Sequence, residues 1–210
     1  MKKILVAIPS MDMVPVRFAQ SLAMLQKVGE CVIGFQIGSL VYEAREKLAT
    51  AAIEMGADYV FWIDSDMVFP PDVLQRLMTD IESGKGDIVS GLYFRRSSPF
   101  TPVVFDQLEV IDEQRAKFTE FDEIPEGIFE CGGIGFGCVL MPTDALLSVM
   151  SKFGTMFTPC YGMGEDLSFC WRVRQCGYKI VTDPGFSLGH CGHYVITREF
   201  YNVFQTAKGR

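Results

Sequence analysis

The chain lacks any apolar stretch long enough to cross a bilayer or to serve as a secretory leader. The run that follows Lys2-Lys3 lasts five residues, Ile4 to Ile8, before Pro9 and then Asp12. It also lacks a basic cluster. The net charge is −7, and residues 106 to 130 alone hold nine acids against two bases, so the remainder is neutral. Neutralising a phosphate backbone takes clustered Lys and Arg, which excludes nucleic acid as a partner. The seven cysteines are odd in number and include no C-x-x-C pair. That argues against a disulfide framework and for reduced thiols. Internal repeats and low-complexity segments are absent. The expectation is one soluble, cytoplasmic domain over residues 1–210 with no membrane span; 210 residues suffice for one substantial core.

What is present begins with a buried strand. Tyr59 to Asp64 is apolar until its last residue, then breaks at Asp64-Ser65-Asp66, and Pro70-Pro71 opens a helix to about Ser83. Ile4–Ile8 and Cys31–Ile37 read as two further strands. Helical spacing over 14–28 and 41–55 separates them, and Gly29 and Gly56 end those helices. Ile88–Val89 begins a fourth strand. The order β-α-β-α-β-α-β over residues 1–91 predicts an α/β, Rossmann-like fold with a mostly parallel central sheet flanked by helices. After Gly91 the pattern changes to short strand-like runs at 100–105, 108–111 and 117–121. This small antiparallel excursion carries the acidic excess and reads as a solvated hairpin, with a cover over a site as the functional alternative. Residues 92–210 then form the second half of the domain.

In an open α/β sheet, ligands bind at the C-terminal ends of the strands. Asp64 and Asp66 are delivered there, and hard oxygen ligands suit Mg²⁺ or Mn²⁺. The D-x-D spacing itself carries no weight: 13 aspartates in 210 residues produce about 0.8 such pairs by chance. Turn chemistry accounts for it equally well. Glu165-Asp166 follows the flexible Gly162 and Gly164 at a helix start, where the macrodipole alone favours acids and where a general base could also stand. The only two histidines, His190 and His193, come late; a His added to two carboxylates favours Mn²⁺ over Mg²⁺. Arg45, Arg95 and Arg96 lie near strand ends, within reach of a diphosphate. Gly132, Gly133, Gly135 and Gly137 permit close backbone approach, yet complete no G-x-G-x-x-G fingerprint.

Taken in order, these segments resemble glycosyltransferases of the GT-A fold, closest to the family-2-like and mannosylglycerate-synthase-like enzymes of bacteria and phages. The likeness runs from Val6-Ala7-Ile8-Pro9-Ser10 through Ala44-Arg45, Phe61 to Pro70, Gly133 to Gly137 and Gly164 to Cys170, to Gly189-His190-Cys191-Gly192. It departs at Glu46, where the family often has Asn. The resemblance implies a metal-dependent, hexosyltransferase-type enzyme that moves a sugar from a nucleotide-diphosphate sugar to an acceptor hydroxyl, inverting or retaining. It implies donor contacts from Pro9, Ser10, Arg45, Asp64, Ser65, Gly133 and Gly135. Mn²⁺ or Mg²⁺ would be held by Asp66 and His190, rather than His193, with Asp64 assisting or binding ribose. Asp166, with Glu165 as runner-up, would be the base of an inverting reaction. Donor sugar, nucleobase and acceptor are set by the loops 38–41, 92–130 and 153–163, and these motifs do not fix the number of subunits. A non-catalytic sugar-nucleotide or carbohydrate-binding module of the same fold is the alternative. A nucleotidyltransferase is the lesser rival, because Pro9 to Met13 holds neither the Gly nor the Lys of a phosphate loop.

Overall fold

A computed structural model describes residues 1–38, 40–192 and 195–208, which leaves His193 outside the described residues. The first half runs β1 (Lys3–Ser10), α1 (Val16–Met24), β2 (Glu30–Ile37), α2 (Val41–Glu54), β3 (Tyr59–Ile63), β4 (Met67–Val68), α3 (Val73–Glu82) and β5 (Ile88–Gly91). The second half runs β6 (Val104–Phe105), β7 (Gln107–Asp112), β8 (Arg115–Thr119), β9 (Phe129–Glu130), β10 (Gly133–Ile134) and β11 (Cys138–Pro142). It ends with α4 (Thr143–Phe153), α5 (Glu165–Gln175), β12 (Ile180–Asp183), β13 (Gly189–Cys191), β14 (Val195–Ile196) and α6 (Arg198–Ala207).

Seven strands make the central sheet, in the order β2-β1-β3-β11-β5-β12-β9. β1 is parallel to β2 and β3, and β12 is parallel to β5. One finding departs from the simple winding expected of the first half. β3 and β5 are not neighbours, because β11 lies between them and is antiparallel to both. Cys138 to Met141 are fully buried, and a strand apolar on both faces is most stable in the interior of a sheet.

β3 shows why the sheet is covered on both sides. Val60 and Trp62 join one core cluster, with Leu48 and Ala52 of α2, Leu146 of α4 and Phe169 of α5. Phe61 and Ile63 point the other way, to Phe18 of α1 and Leu74 and Leu77 of α3. A strand alternates its side chains between faces, so an all-apolar strand needs helices on both. The larger core is knitted by aromatic edges: Trp62 meets Phe157 at 5.2 Å, and Phe136 meets Phe169 at 5.3 Å. Each such pair contributes about 0.5–1.5 kcal/mol beyond area burial. Helix ends follow local chemistry. Gly154 closes α4 at φ 71°, and the Thr197 hydroxyl accepts the Phe200 N–H to open α6.

The acidic stretch opens with the β7–β8 hairpin, a two-stranded sheet of its own, and runs on to β9. It leans on α5, where Arg174 donates to the Leu108 carbonyl at 3.3 Å. All seven cysteines are free thiols. No helix among the described residues is long and apolar enough to cross a membrane.

Candidate functional site

The C-terminal ends of β1 and β3 open into a cleft of about 230 Å³. Pro9, Ser10, Met11, Gly38, Val41, Ala44, Asp64, Ser65, Asp66 and Arg96 line it. A larger cleft of about 770 Å³ adjoins it and shares Ser65, Asp66 and Arg96, with Arg17, Cys191, Gly192 and Phe200 on its far side. Asp64-Ser65-Asp66 forms the ridge between strand and turn. The Asp64 N–H donates to the Gly137 carbonyl and the Met67 N–H to the Asp64 carbonyl, both at 3.1 Å. These bonds fix the direction in which the two carboxylates leave the backbone.

His190 reaches this ridge through backbone pairing. β13 lies antiparallel to β4, with His190 opposite Met67, and the Cys191 N–H donates to the Asp66 carbonyl at 2.8 Å. Gly189 is required here, since a Cβ on it would sit 2.6 Å from Val195 Cγ1. The His190 ring is oriented by its Nδ1, 2.9 Å from the Phe94 carbonyl oxygen. Because a carbonyl only accepts, Nδ1 carries the proton, and in the neutral ring Nε2 is a bare lone pair. That lone pair faces Asp66 Oδ2 at 3.4 Å. Two acceptors stay at that distance only with a proton or a cation between them. Burial alone would lower the His190 pKa, but the Asp66 carboxylate outweighs it and the net shift is upward. Asp66 moves the other way: burial would raise it, and His190 and Arg96 hold it below the usual range.

One carboxylate oxygen and one imidazole nitrogen, on a ring held by the Phe94 carbonyl, form a donor set suited to Mn²⁺ or Mg²⁺. Asp66 and His190 fit such an ion. Asp64 lines the same cleft but is already paired. No group of three or more His, Cys, Asp or Glu poised for a metal occurs among the described residues. The Arg96 guanidinium also pairs with Asp66 and is more than half exposed, so it can swing away.

Asp64 turns toward Arg45. Arg45 Nη2 lies 2.8 Å from Asp64 Oδ1, and its Nε lies 3.4 Å from Glu165 Oε1. The guanidinium is 2% exposed and stacks over the rings of Trp62 and Phe136, at 5.8 and 5.2 Å. Burial would lower the Arg45 pKa; Asp64, Glu165 and Asp166 more than offset that, so the group stays charged. Arg45, expected to reach a diphosphate, is therefore not on the cleft wall. It ties the end of β3 to the start of α5.

Asp166 opens α5 beside Glu165. Its Oδ1 accepts the Leu167 N–H at 2.7 Å, while the side chain keeps partial exposure. One guanidinium cannot balance three carboxylates. Burial, then the neighbouring Glu165, push the Asp166 carboxyl up to about 6.

The glycines expected to offer bare backbone to a ligand face protein. A Cβ on Gly133 would meet Leu167 at 2.7 Å. On Gly135 it would lie 2.2 Å from the Tyr93 hydroxyl, and on Gly137 2.7 Å from Tyr93 Cζ. The run makes room for the buried Tyr93 phenol, whose oxygen accepts the Gly137 N–H at 3.1 Å. Tyr93 also packs edge-on against His190, with ring centroids 5.6 Å apart. Sequence reasoning missed Tyr93; the only signal for it was the glycine spacing. It also left Glu46 unexplained. The Glu46 carboxylate accepts N–H groups from Met156 and Phe157, at 3.0 and 2.7 Å, and so anchors the loop that leads toward α5.

Three comparisons bear on this geometry. The family model for Glycosyl transferase family 2 matches residues 44–140, from the first turn of α2 into β11. Among solved structures, A197 from STIV has a TM-score of 0.66 at 20% identity, over 91% of this chain and 86% of that one. GalNAc-T7 with UDP, GalNAc and Mn²⁺ has a TM-score of 0.60 at 9% identity, over 90% of this chain and 44% of its own length. At those identities the two structures show a shared fold. No match is found among curated proteins.

Proposed function

We propose that this chain, a family-2-like glycosyltransferase of the GT-A fold, transfers a sugar from a nucleotide-diphosphate sugar to an acceptor hydroxyl, with Mn²⁺ or Mg²⁺ at Asp66 and His190. The observation that carries the reading is the pairing of Asp66 with a His190 whose Nε2 faces it, at the mouth of the cleft that ends β1 and β3. A divalent ion there supplies Lewis-acid stabilisation of the diphosphate that leaves.

The protein's own groups divide the remaining work. Pro9, Ser10 and Ser65 line the smaller cleft, which takes the nucleoside, and Asp64 offers its free oxygen to a ribose hydroxyl. Arg96, released from Asp66, meets the phosphates. Asp166 accepts the acceptor's hydroxyl proton as the new glycosidic bond forms and the bond from the sugar's anomeric carbon to the diphosphate breaks. Its raised pKa suits a base that works near neutrality. Glu165 is committed to Arg45 and holds α5 in place, so Asp166 carries the chemistry.

The test is a thermal-shift screen of UDP-, GDP-, ADP- and dTDP-sugars with and without Mn²⁺, followed by an assay for nucleotide diphosphate released on adding candidate acceptors. A donor-specific, Mn²⁺-dependent rise in melting temperature is expected, because only a ligand of the native state stabilises it. Stabilisation by sugar nucleotide that is identical in Asp66→Ala would overturn the site.

A further inference from the structure

β2 is the end strand of the seven-stranded sheet, paired on one side with β1 and, among the described residues, with no strand on the other. Its core, Cys31-Val32-Ile33-Gly34-Phe35-Gln36-Ile37, has no charge and no proline. Sheets that end in water protect their edges with just those residues, because an open edge is a template for another strand. Here the protection is missing. Ile33, Phe35 and Ile37 are 36%, 47% and 62% exposed. Ile33 and Phe35 stand in register with Val6 and Ile8 and so share their face of the sheet. α1 covers that face, and its Phe18 is buried with Ile4, Val6 and Ile8, but the cover stops short of β2.

We propose that a second copy of this chain occupies this edge, with the two β2 strands antiparallel about a two-fold axis at Gly34. That register is self-complementary. Ile33 stands opposite Phe35 of the second copy, and Cys31 opposite Ile37 of the second copy. On that face the aligned pairs are apolar, an aromatic with a β-branched side chain at the centre, while on the other face Val32 stands opposite Gln36 of the second copy. No like charges meet within the paired run. Glu43 and Lys47 of α2 border the end of the strand and supply both signs to a polar rim. Eight residues at about 3.3 Å make an edge roughly 26 Å long. With the α2 layer, about 10 Å thick, on one face only, the paired edge covers roughly a few hundred Å² per partner, the scale of a weak, concentration-dependent dimer. The dimer would carry one continuous sheet of fourteen strands, twice the seven of a single chain. Both clefts would remain open, because Asp66 and His190 lie on the inner side of β1.

Sedimentation equilibrium on the whole chain should give a concentration-dependent mass approaching twice 23.5 kDa. Phe35→Lys should be monomeric with an unchanged circular-dichroism spectrum, since the ring it replaces is half exposed. Ile37→Cys supplies the independent arm. Under mild oxidation it should form a covalent dimer through Cys31 of the second copy, and Cys31→Ser in the same background should abolish the band. A wild-type chain that stays monomeric at every concentration overturns the proposal. So does a dimer that survives Phe35→Lys and yields no Cys31-dependent cross-link, which would put the interface elsewhere. Monomeric protein that binds phospholipid vesicles through Phe35 would assign the stripe to a membrane surface instead, and would equally sink it.

Discussion

Arg45 Nη2 and Asp64 Oδ1 lie 2.8 Å apart, and the arginine that makes this contact is 2% exposed. Its Nε, turned the other way, meets Glu165 at a distance of 120 residues in sequence. A buried cation between two acids binds the Asp64–Asp66 side of the cleft to the helix that carries Asp166. Removing it leaves carboxylates uncompensated, which for a buried pair costs about 3–5 kcal/mol. The lower end applies here, because Asp64 keeps 29% of its side chain in water. Arg45→Met should therefore lower the urea-unfolding free energy by about 3 kcal/mol. Arg45→Lys keeps the charge but lacks the planar fork, and should fall between the two in stability while still losing turnover. A loss under about 1 kcal/mol in Arg45→Met would show that the contact is not structural.

Asp66→Ala and His190→Ala should each keep the fold and lose the Mn²⁺-dependent part of donor binding. His190→Gln keeps a hydrogen-bonding group but not the imidazole nitrogen, and should resemble His190→Ala. The measurement is the melting-temperature shift with UDP-sugar and Mn²⁺ against UDP-sugar with EDTA. Retention of the metal-dependent shift in His190→Ala would remove His190 from the ligand set.

Asp166 sets the expected pH dependence. A base must be ionised, and burial holds this carboxyl at about 6, so turnover should fall as pH drops through that value. The sign for stability is opposite. The folded chain holds this proton more tightly than the unfolded one, whose value is 3.8. The contribution to stability is thus full below 3.8 and is lost as pH rises through about 6. Asp166→Asn keeps an oxygen for the Leu167 N–H and removes the buried charge. It should be at least as stable as the wild type at neutral pH, yet lose turnover by on the order of 10²- to 10⁴-fold with donor affinity unchanged. Equal losses in turnover and donor binding would make Asp166 a helix cap and no more.

The Tyr93 seat is testable through its glycines. Gly135→Ala would force a Cβ to 2.2 Å from the Tyr93 hydroxyl and 2.6 Å from Val103 Cγ1. Overpacking of this kind costs about 1–3 kcal/mol. Tyr93→Phe removes only the first clash, so the double variant should recover part of the loss. A double-mutant cycle with no coupling would mean that the strand shifts and the phenol does not set its shape.

The sequence by itself determined the elements and the edge of the sheet where they meet. Helical spacing marks α1 and α2 because packing selects one face of a helix, and β3 is legible because a strand covered on both sides has no polar residue until it ends. The chain also carried the order of the acidic turn, the Glu-Asp helix start and the late histidine. Tertiary structure alone decided which of these touch. β11 entered between β3 and β5 because it is apolar on both faces, a property that does not say which neighbours it will have. His190 reached Asp66 through a two-residue pairing with β4, far too short to leave a periodic signal. Arg45 became a buried clamp, not a cleft wall, because Trp62 and Phe136 closed over it, and the glycine run became a seat for Tyr93. Local pattern reports what a segment must bury. The partner that buries it is chosen by contacts distant in the chain, 44 residues apart for Tyr93 and Gly137 and 120 for Arg45 and Glu165, and those contacts built the site.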